Sequence, residues 1–408
     1  MKKRWGGTAA LGVAVTALLG LSLTATSSAG ASSGTTRGVT STSITVGGLG
    51  FAEYYGDSAI GAEARFDAQN KAGGVYGRKI KFIGFKDDQS SPTVDIQAGK
   101  QLVEQDQVFA VVPVVSITLA AGAYFAQQHV PFFGWGISPQ FLGNKYGFSF
   151  AGAVTSPSWE ITVHGAEIAK VLGKSPKNLT MAIIGEDSDA SKQATAPLVY
   201  AMKSIGYKIV YAENPLPAAP AVVSSYTPYV QQIMTANGGQ PPSVLMEVIS
   251  PGNLGLQAGM EAAGYKGAMV NYIQYSPATV ASAKGAYVYL QFAPYEVAST
   301  NPAIATLIKR VKAIAPNAPL TQGIEAGYFA ADQFIDALQK TGKNLTAESF
   351  QKAADSMTYG IKNTVGPTSF PRGQTVPTSC GSTVTSNGTA WQVSYAYLCT
   401  NSVHYPGG

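Results

Sequence analysis

The sequence predicts an α/β protein with two doubly wound, Rossmann-like halves, each a parallel sheet covered by helices on both faces. Continuous apolar stretches such as SITVGGLG (43–50) and VFAVVPVV (108–115) alternate with helix-like stretches, and continuous apolar strands are typical of parallel sheets buried on both faces. The same alternation starts again after residue 155 and continues to AMVNYI (268–273). A chain of 408 residues is also long enough for two domains.

Glycines and acids set the element boundaries in the first half. Gly73 and Gly74 end the first long helix, because the residue after a helix commonly takes a left-handed conformation that glycine tolerates best, and Gly77 permits the turn into the next strand. Asp87 and Asp88 are predicted to form the following turn and to lie at a helix N-terminus. A metal site there is the weaker alternative, because no third ligand is nearby. The predicted order is helix 57–71, strand 78–88, helix 93–106 and strand 108–115.

The second half repeats this order and ends in a β-rich tail. Asn387-Gly388 is a two-residue hairpin signal inside the tail, and folding there brings Cys380 opposite Cys399. In an exported protein this pair predicts a disulfide worth about 3 kcal/mol; a metal or redox site is less favoured, because only His404 is close. Helices are predicted over 158–172, 190–206, 226–237, 252–264, 301–314 and 320–341, and strands over 178–186, 207–213, 243–249 and 268–273.

The N-terminus predicts export. A basic start (2–4), an apolar stretch (9–23) and the small-residue sequence AGA (29–31) predict a signal peptide over 1–31, followed by a flexible Ser/Thr/Gly-rich leader over 32–42. A membrane anchor is the alternative, but the apolar stretch is shorter than the roughly 20 residues that span a bilayer. With no cysteine near the cleavage site, we expect a soluble mature protein, periplasmic or associated with the cell envelope.

Composition and motifs argue against several functions. Removing three basic residues with the signal peptide takes the formal charge from +5 to +2. A charge this small argues against a nucleic-acid partner. The three histidines, His129, His164 and His404, form no recognisable nucleophile–base arrangement, and no Gly-x-Ser-x-Gly motif occurs. The stretch VGGLGF (46–51) lacks full dinucleotide-binding spacing. We therefore predict no enzyme, no cofactor and no metal.

Several stretches together resemble one protein family. NKAGGVYGRKIKFIGFKDDQSSP (70–92), the segment 98–133, AGYKGAMVNY (263–272) and NTVGPTSFPRG (363–373) resemble the leucine/isoleucine/valine-binding proteins, which are type I periplasmic solute-binding proteins of ABC importers. The resemblance implies a type I periplasmic-binding fold, with two lobes joined by three crossovers that close on a small-molecule solute. It also implies a monomer that delivers the solute to a membrane permease, or alternatively a ligand sensor for a receptor. The implied lobes are 43–153 plus 290–342, and 154–289 plus 343–408.

The resemblance and the strand ends together predict a ligand site, because open α/β sheets bind ligands beyond the carboxyl ends of their strands. In lobe 1, aromatic residues are expected to form a wall, and Ser116 and Thr118 to hold a carboxylate at a helix N-terminus. Val115 stands where relatives often have serine. The lobe 1 candidates are Phe51, Tyr54, Tyr55, Ser116, Thr118, Trp135, Gly136 and Ser138, and those of lobe 2 are Asp187, Asp189, Ser250, Asn253, Tyr272 and Gln274.

Lobe 2 departs from the amino-acid-binding pattern. Where those relatives place a glutamate for the ligand ammonium, this sequence has Ile273, and their ligand-contacting tyrosine aligns near Ala190. A neutral group cannot offset the desolvation of an ammonium as a carboxylate does. We therefore expect an organic acid, an aromatic acid or an amide-like solute, with a branched-chain amino acid as the alternative.

Overall fold

Two β-sheets flanked by helices organise the computed structural model, which describes residues 36–218, 221–250, 253–272 and 275–407. This arrangement confirms the predicted α/β class. The predicted signal peptide lies outside the described residues. None of the helices in the described part of the chain is long and apolar enough to cross a membrane.

The first sheet contains five parallel strands in the order β2-β1-β3-β4-β5. Its central strand has the sequence AVVPVV, and all six of these residues are buried, as expected for a strand covered on both faces. The strands are β1 (Ser43–Gly50), β2 (Lys79–Asp87), β3 (Ala110–Val115), β4 (Phe132–Gly134) and β5 (Gly147–Ser149).

The second sheet has seven strands, of which five are parallel and two form an antiparallel edge. The edge is the predicted terminal hairpin. Cys380 pairs with Cys399 in its register and the two form the predicted disulfide. The order is β15-β14-β11-β10-β9-β7-β8, with β7 (Thr180–Glu186), β8 (Lys208–Leu216), β9 (Val244–Val248), β10 (Ala268–Asn271), β11 (Tyr287–Leu290), β14 (Cys380–Ser386) and β15 (Trp391–Cys399).

Two short antiparallel pairs complete the β-structure. They join β6 (Trp159–Ile161) to β16 (Ser402–His404), and β12 (Thr358–Ile361) to β13 (Val365–Ser369). The first pair corrects the helix predicted over 158–172, because that stretch begins as a strand and only its later part is helical. The C-terminal tail supplies the strand partner for 159–161, and local periodicity does not reveal such a distant pairing.

Eleven α-helices cover the sheets in the described residues. The longest, α10, packs against α2 at close range, because a Cβ on Gly61 would lie 1.9 Å from the carbonyl oxygen of Ile324, and one on Gly327 would lie 1.9 Å from that of Ser58. The helices are α1 (Ala52–Tyr55), α2 (Ser58–Lys71), α3 (Pro92–Lys100), α4 (Gly122–Gln127), α5 (Val163–Val171), α6 (Asp189–Ser204), α7 (Thr227–Thr235), α8 (Gly255–Ala262), α9 (Pro302–Ile314), α10 (Gln322–Thr341) and α11 (Ala347–Ala354).

The turn after α2 confirms the role predicted for its glycines. Gly73, Gly74 and Gly77 have φ angles of 102°, 75° and 83°, in the region that glycine adopts most readily. The described part of the predicted leader, 36–42, has fixed contacts: Arg37 Nε donates to the carbonyl of Val108 at 3.0 Å.

Helix α11 packs on the first-sheet side of the molecule. Its Phe350 ring lies 5.0, 5.9 and 5.7 Å from the rings of Phe109, Phe133 and Phe334. The predicted lobe boundaries, with the third crossover near residue 343, remain a prediction.

Candidate ligand-binding cleft

A cavity of about 140 Å³ lies where the carboxyl ends of the strands of both sheets meet. The first sheet contributes side chains from the segments that follow β1, β3 and β4, and the second sheet from the ends of β7, β9, β10 and β11. This is the position at which open parallel sheets bind ligands. In chain order these strand-end residues are Tyr55, Ile117, Trp135, Ile137, Glu186, Ser188, Ser250, Tyr272 and Gln291.

The wall of the cavity is mostly apolar. No lysine or arginine lines it among the described residues, and those residues hold no group of three or more His, Cys, Asp or Glu suited to a metal ion. Apolar walls with a few polar groups are typical of small-molecule sites. The aliphatic lining residues are Ile117, Ile137, Val154, Ile161, Ala190, Ala194, Leu198, Val248 and Ile249.

Trp135 links the two sides of the cavity. Its ring packs edge-on against Tyr55, with centroids 6.0 Å apart, and its indole N–H donates to the side-chain oxygen of Gln291, which follows β11. Both residues at that contact are buried. The first sheet and the second sheet are thereby joined by a direct hydrogen bond at the cavity wall.

Glu186, the last residue of β7, is a buried acid on the cavity wall. Its Oε1 accepts hydrogen bonds from the backbone N–H of Ser250 at 2.8 Å, from the Ser250 hydroxyl at 2.6 Å and from the side-chain amide of Asn253. The carboxylate raises the pKa of Tyr54 and Tyr55, although burial is the larger cause of both shifts. Glu186 therefore faces the first-sheet side of the cavity.

A second pair of ionisable groups, Glu160 of β6 and His164 of α5, lines another part of the cavity. Burial raises the pKa of Glu160 to about 8 and lowers that of His164 to about 3, because both charged forms would lose their hydration. Both groups are therefore neutral at pH 7. The His164 ring contacts the rings of Tyr272 and Tyr289 edge-on, at 5.9 and 5.2 Å.

The comparisons with known proteins agree with this geometry. Residues 43–390 match the model of the family described as periplasmic binding protein. The chain belongs to this family. No curated protein matches the sequence significantly.

Solved structures share the fold of this periplasmic binding protein at low sequence identity. A fatty acid ABC transporter substrate-binding protein from Thermomonospora curvata is 18% identical with a TM-score of 0.72, covering 90% of this chain and 94% of the other. A solute-binding protein from Rhodopseudomonas palustris BisB5, in complex with 3,4-dihydroxybenzoic acid, is 16% identical with a TM-score of 0.65 and coverages of 88% and 97%. A possible leucine/isoleucine/valine-binding protein from Rhodopirellula baltica is 13% identical with a TM-score of 0.68 and coverages of 86% and 96%. These likenesses confirm the type I periplasmic-binding fold.

Four of the residues predicted for the site line the cavity of this periplasmic binding protein: Tyr55, Trp135, Ser250 and Tyr272. Gln274 and Ile273 lie outside the described residues. Ala190, which stands near the position of a family tyrosine, lines the cavity with its methyl group only.

Two serines predicted for the site, Ser116 for a carboxylate and Ser138 for another ligand contact, have hydrogen-bond partners within the protein. The Ser116 O–H donates to Asp95 at 3.2 Å, and its oxygen accepts the Leu119 N–H at 2.8 Å. The Ser138 O–H donates to the carbonyl of Thr118 at 3.1 Å. Neither serine lines the cavity, so the structure uses both to fix the loops after β3 and β4.

The remaining candidates lie outside the cavity lining. Phe51 is buried in the core and its ring contacts Tyr54 at 4.7 Å. Gly136 donates its N–H to the Ser149 hydroxyl at 2.9 Å. Asp187 is exposed and forms an ion pair with Lys192, Asp189 is the exposed first residue of α6, and Asn253 holds Glu186.

Sequence reasoning missed Glu160, His164 and Glu186. Glu186 is the last residue of the apolar strand β7. Because ligand contacts were expected at strand ends, its position could have identified it as a site residue. Glu160 and His164 offered none, because they fall in a stretch predicted as one amphipathic helix.

Proposed function

We propose that this periplasmic binding protein is an extracytoplasmic substrate-binding protein that closes on a small, mostly apolar organic solute and delivers it to an ABC importer. The observation that carries the proposal is the apolar cavity at the strand ends of both sheets. Its volume, about 140 Å³, resembles that of a cavity of about 150 Å³ that binds benzene. One aromatic ring or a short aliphatic chain with one polar group fits this space.

An organic acid or amide fits the polar groups better than an α-amino acid. An α-amino acid carries an ammonium and a carboxylate on one carbon, so it needs acceptors and donors side by side. Ser116, which was predicted to donate to a carboxylate, and Ser138 both donate hydrogen bonds within the protein instead. Solutes whose single polar group lies at one end of an apolar body need only one polar region of the cavity.

Glu186 supports a second candidate, a branched-chain amino acid. Its buried carboxylate is a suitable partner for a ligand ammonium, and one structural neighbour is described as a possible leucine/isoleucine/valine-binding protein. Three internal donors already occupy Oε1, so an ammonium would have to use Oε2.

Delivery to a permease is supported by the family and by neighbours described as ABC transporter substrate-binding proteins. Those neighbours include proteins described with a fatty acid, 3,4-dihydroxybenzoic acid, 4-hydroxybenzoate and benzoate. A ligand sensor for a receptor remains the alternative use of the same fold. We propose that the protein acts as a monomer without catalysis.

A thermal-shift panel on residues 32–408 tests the proposal. Two matched pairs differ in the ammonium group: leucine against 4-methylvalerate, and phenylalanine against 3-phenylpropionate; benzoate, benzamide and glucose complete the panel. Binding to the native state stabilises it by about 2.7 kcal/mol at a hundred times the dissociation constant. We expect shifts with 4-methylvalerate, 3-phenylpropionate, benzoate and benzamide, and none with glucose. Shifts confined to leucine and phenylalanine would establish the amino-acid alternative, and a shift with glucose alone would contradict both candidates.

A further inference from the structure

Within the described part of the chain, His164 has no hydrogen-bond partner although it is buried. Its exposed fraction is 1%, and neither Nδ1 nor Nε2 contacts a donor or acceptor of the described residues. Buried polar side chains in folded proteins nearly always have a partner. Because His164 also lines the cavity, a bound solute is a candidate for the missing partner.

The neighbours of His164 cannot fill this role themselves. The Tyr289 hydroxyl donates to the carbonyl of Cys380 at 2.9 Å, and the Tyr272 hydroxyl contacts the sulfur of Met246 at 3.7 Å. Both tyrosine rings are steeply inclined to the imidazole, at interplanar angles of 80° and 64°. Glu160 lines the same cavity as His164. Its Oε1 accepts the Ile161 N–H at 2.8 Å, which leaves Oε2 for a solute.

The Glu160–His164 corner lies apart from Glu186. The carboxylate of Glu160 affects the pKa of Tyr272 and Tyr289, whereas that of Glu186 affects the pKa of Tyr54 and Tyr55. These two sets of tyrosines do not overlap. The cavity lining therefore includes Glu186, which is held by internal donors, and the two neutral groups Glu160 and His164, together with apolar side chains.

We propose that the carboxylate of the solute binds at the Glu160–His164 corner, where it accepts one hydrogen bond from the Glu160 carboxyl O–H and one from an imidazole N–H of His164. This proposal rests on the function proposed above and narrows the solute class to small apolar monocarboxylic acids. The apolar wall around Leu198 and Ile161 then holds the body of the solute.

The corner makes binding depend on pH. Glu160 is protonated below about pH 8, because burial raises the pKa of its carboxyl, and above this pH its carboxylate would repel that of the solute. His164 stays neutral there because its pKa is lowered, and Tyr272 and Tyr289 because burial raises theirs. Two other groups nearby carry or gain charge: burial raises the pKa of Glu167 on α5 to about 8, and the Arg372 guanidinium lies 5.5 Å from the Trp159 ring. Strand β16 pairs with β6, and the ring centroids of His404 and Trp159 lie 5.0 Å apart. Affinity for a carboxylate should thus fall about tenfold from pH 7 to pH 9.

Calorimetric titration of the protein with two acids and their amides tests the corner. The probes are benzoate and 4-methylvalerate, with benzamide and 4-methylvaleramide as neutral controls. We expect the acids to lose about tenfold in affinity between pH 7 and pH 9, and the amides to bind equally at both. Glu160→Gln keeps a neutral donor, so it should hold acid affinity at pH 7 within a few-fold and abolish the loss at pH 9. His164→Phe should weaken acid binding roughly 10- to 100-fold.

Three outcomes overturn the inference. Acids that bind no better than amides at pH 7, or a loss at pH 9 that persists in Glu160→Gln, would show that the carboxylate lies elsewhere, while solute binding itself would stand. If no acid or amide binds at either pH, the proposed function fails together with the inference. Circular dichroism shows whether each variant folds. If His164→Phe does not fold, the pH dependence of acid binding by Glu160→Gln alone tests the inference.

Discussion

Asparagine in place of Asp95 should stabilise the protein increasingly as the pH rises. Asp95 is fully buried, its Oδ1 accepts the Ala121 N–H at 2.7 Å and its Oδ2 accepts the Ser116 O–H. Burial, with a contribution from the charge of neighbouring Asp88, raises its pKa from 3.8 to about 7. An asparagine of nearly the same shape keeps the oxygen that accepts from Ala121.

The size of the effect follows from linkage. The folded state holds the Asp95 proton more tightly than the unfolded state, so this carboxyl favours folding most below pH 3.8, and that contribution is lost as the pH rises to 7. Over the full range the loss is on the order of 4 kcal/mol, and more than half of it falls between pH 5 and pH 8. The asparagine side chain of the Asp95→Asn variant does not titrate, so the advantage of the variant over the wild type should grow by that amount.

Urea unfolding at pH 5 and pH 8 measures this difference. The matched control is Asp87→Asn, which removes the neighbouring exposed carboxylate that accepts from the Ala52 and Gln89 N–H groups. We expect the free energy of unfolding of Asp95→Asn, relative to the wild type, to be higher at pH 8 than at pH 5. Asp87→Asn should show no such increase. An Asp95→Asn variant whose stability relative to wild type is the same at both pH values would refute it.

Three further predictions concern the disulfide, the aromatic core and the cavity. Serine at both Cys380 and Cys399, 19 residues apart, should lower the free energy of unfolding by about 3 kcal/mol in urea; an unchanged midpoint would contradict this. Alanine at the fully buried Phe350 should cost about 3–5 kcal/mol, whereas alanine at Val222, which is 88% exposed, should leave the urea midpoint unchanged. Phenylalanine at Ala194 should fill the cavity and weaken solute binding more than about tenfold in calorimetry without lowering the melting temperature.

The fold was largely predictable because local pattern and tertiary structure agree over most of the chain. Buried parallel strands leave continuous apolar stretches, and the glycines after α2 have the left-handed conformations that their positions suggested. The exception is 159–161, which is a strand because the C-terminal tail pairs with it across more than 200 residues. No local pattern contains that information.

The candidate site was predictable only as a region. Tyr55, Trp135, Ser250 and Tyr272, which were chosen because they follow strand ends, line the cavity, and their contact with a ligand stays a prediction. The direction of a hydroxyl was not predictable. The Ser116 O–H donates to the carboxyl group of Asp95, a residue 21 positions away, so this hydrogen bond replaces the one that a ligand would have accepted. In the same way, the burial of Glu160 and His164, just before and at the start of α5, depends on the distant elements that pack against them.

A crystal structure of the protein grown with the most stabilising solute of the panel would show where the solute binds. We expect electron density for one solute between Trp135 and Tyr272, with its apolar body against Leu198 and its polar group beside His164. Solute density outside this cavity would contradict both the proposed function and the carboxylate position. Density within the cavity, but with the polar group beside Glu186, would contradict the carboxylate position and favour the amino-acid alternative.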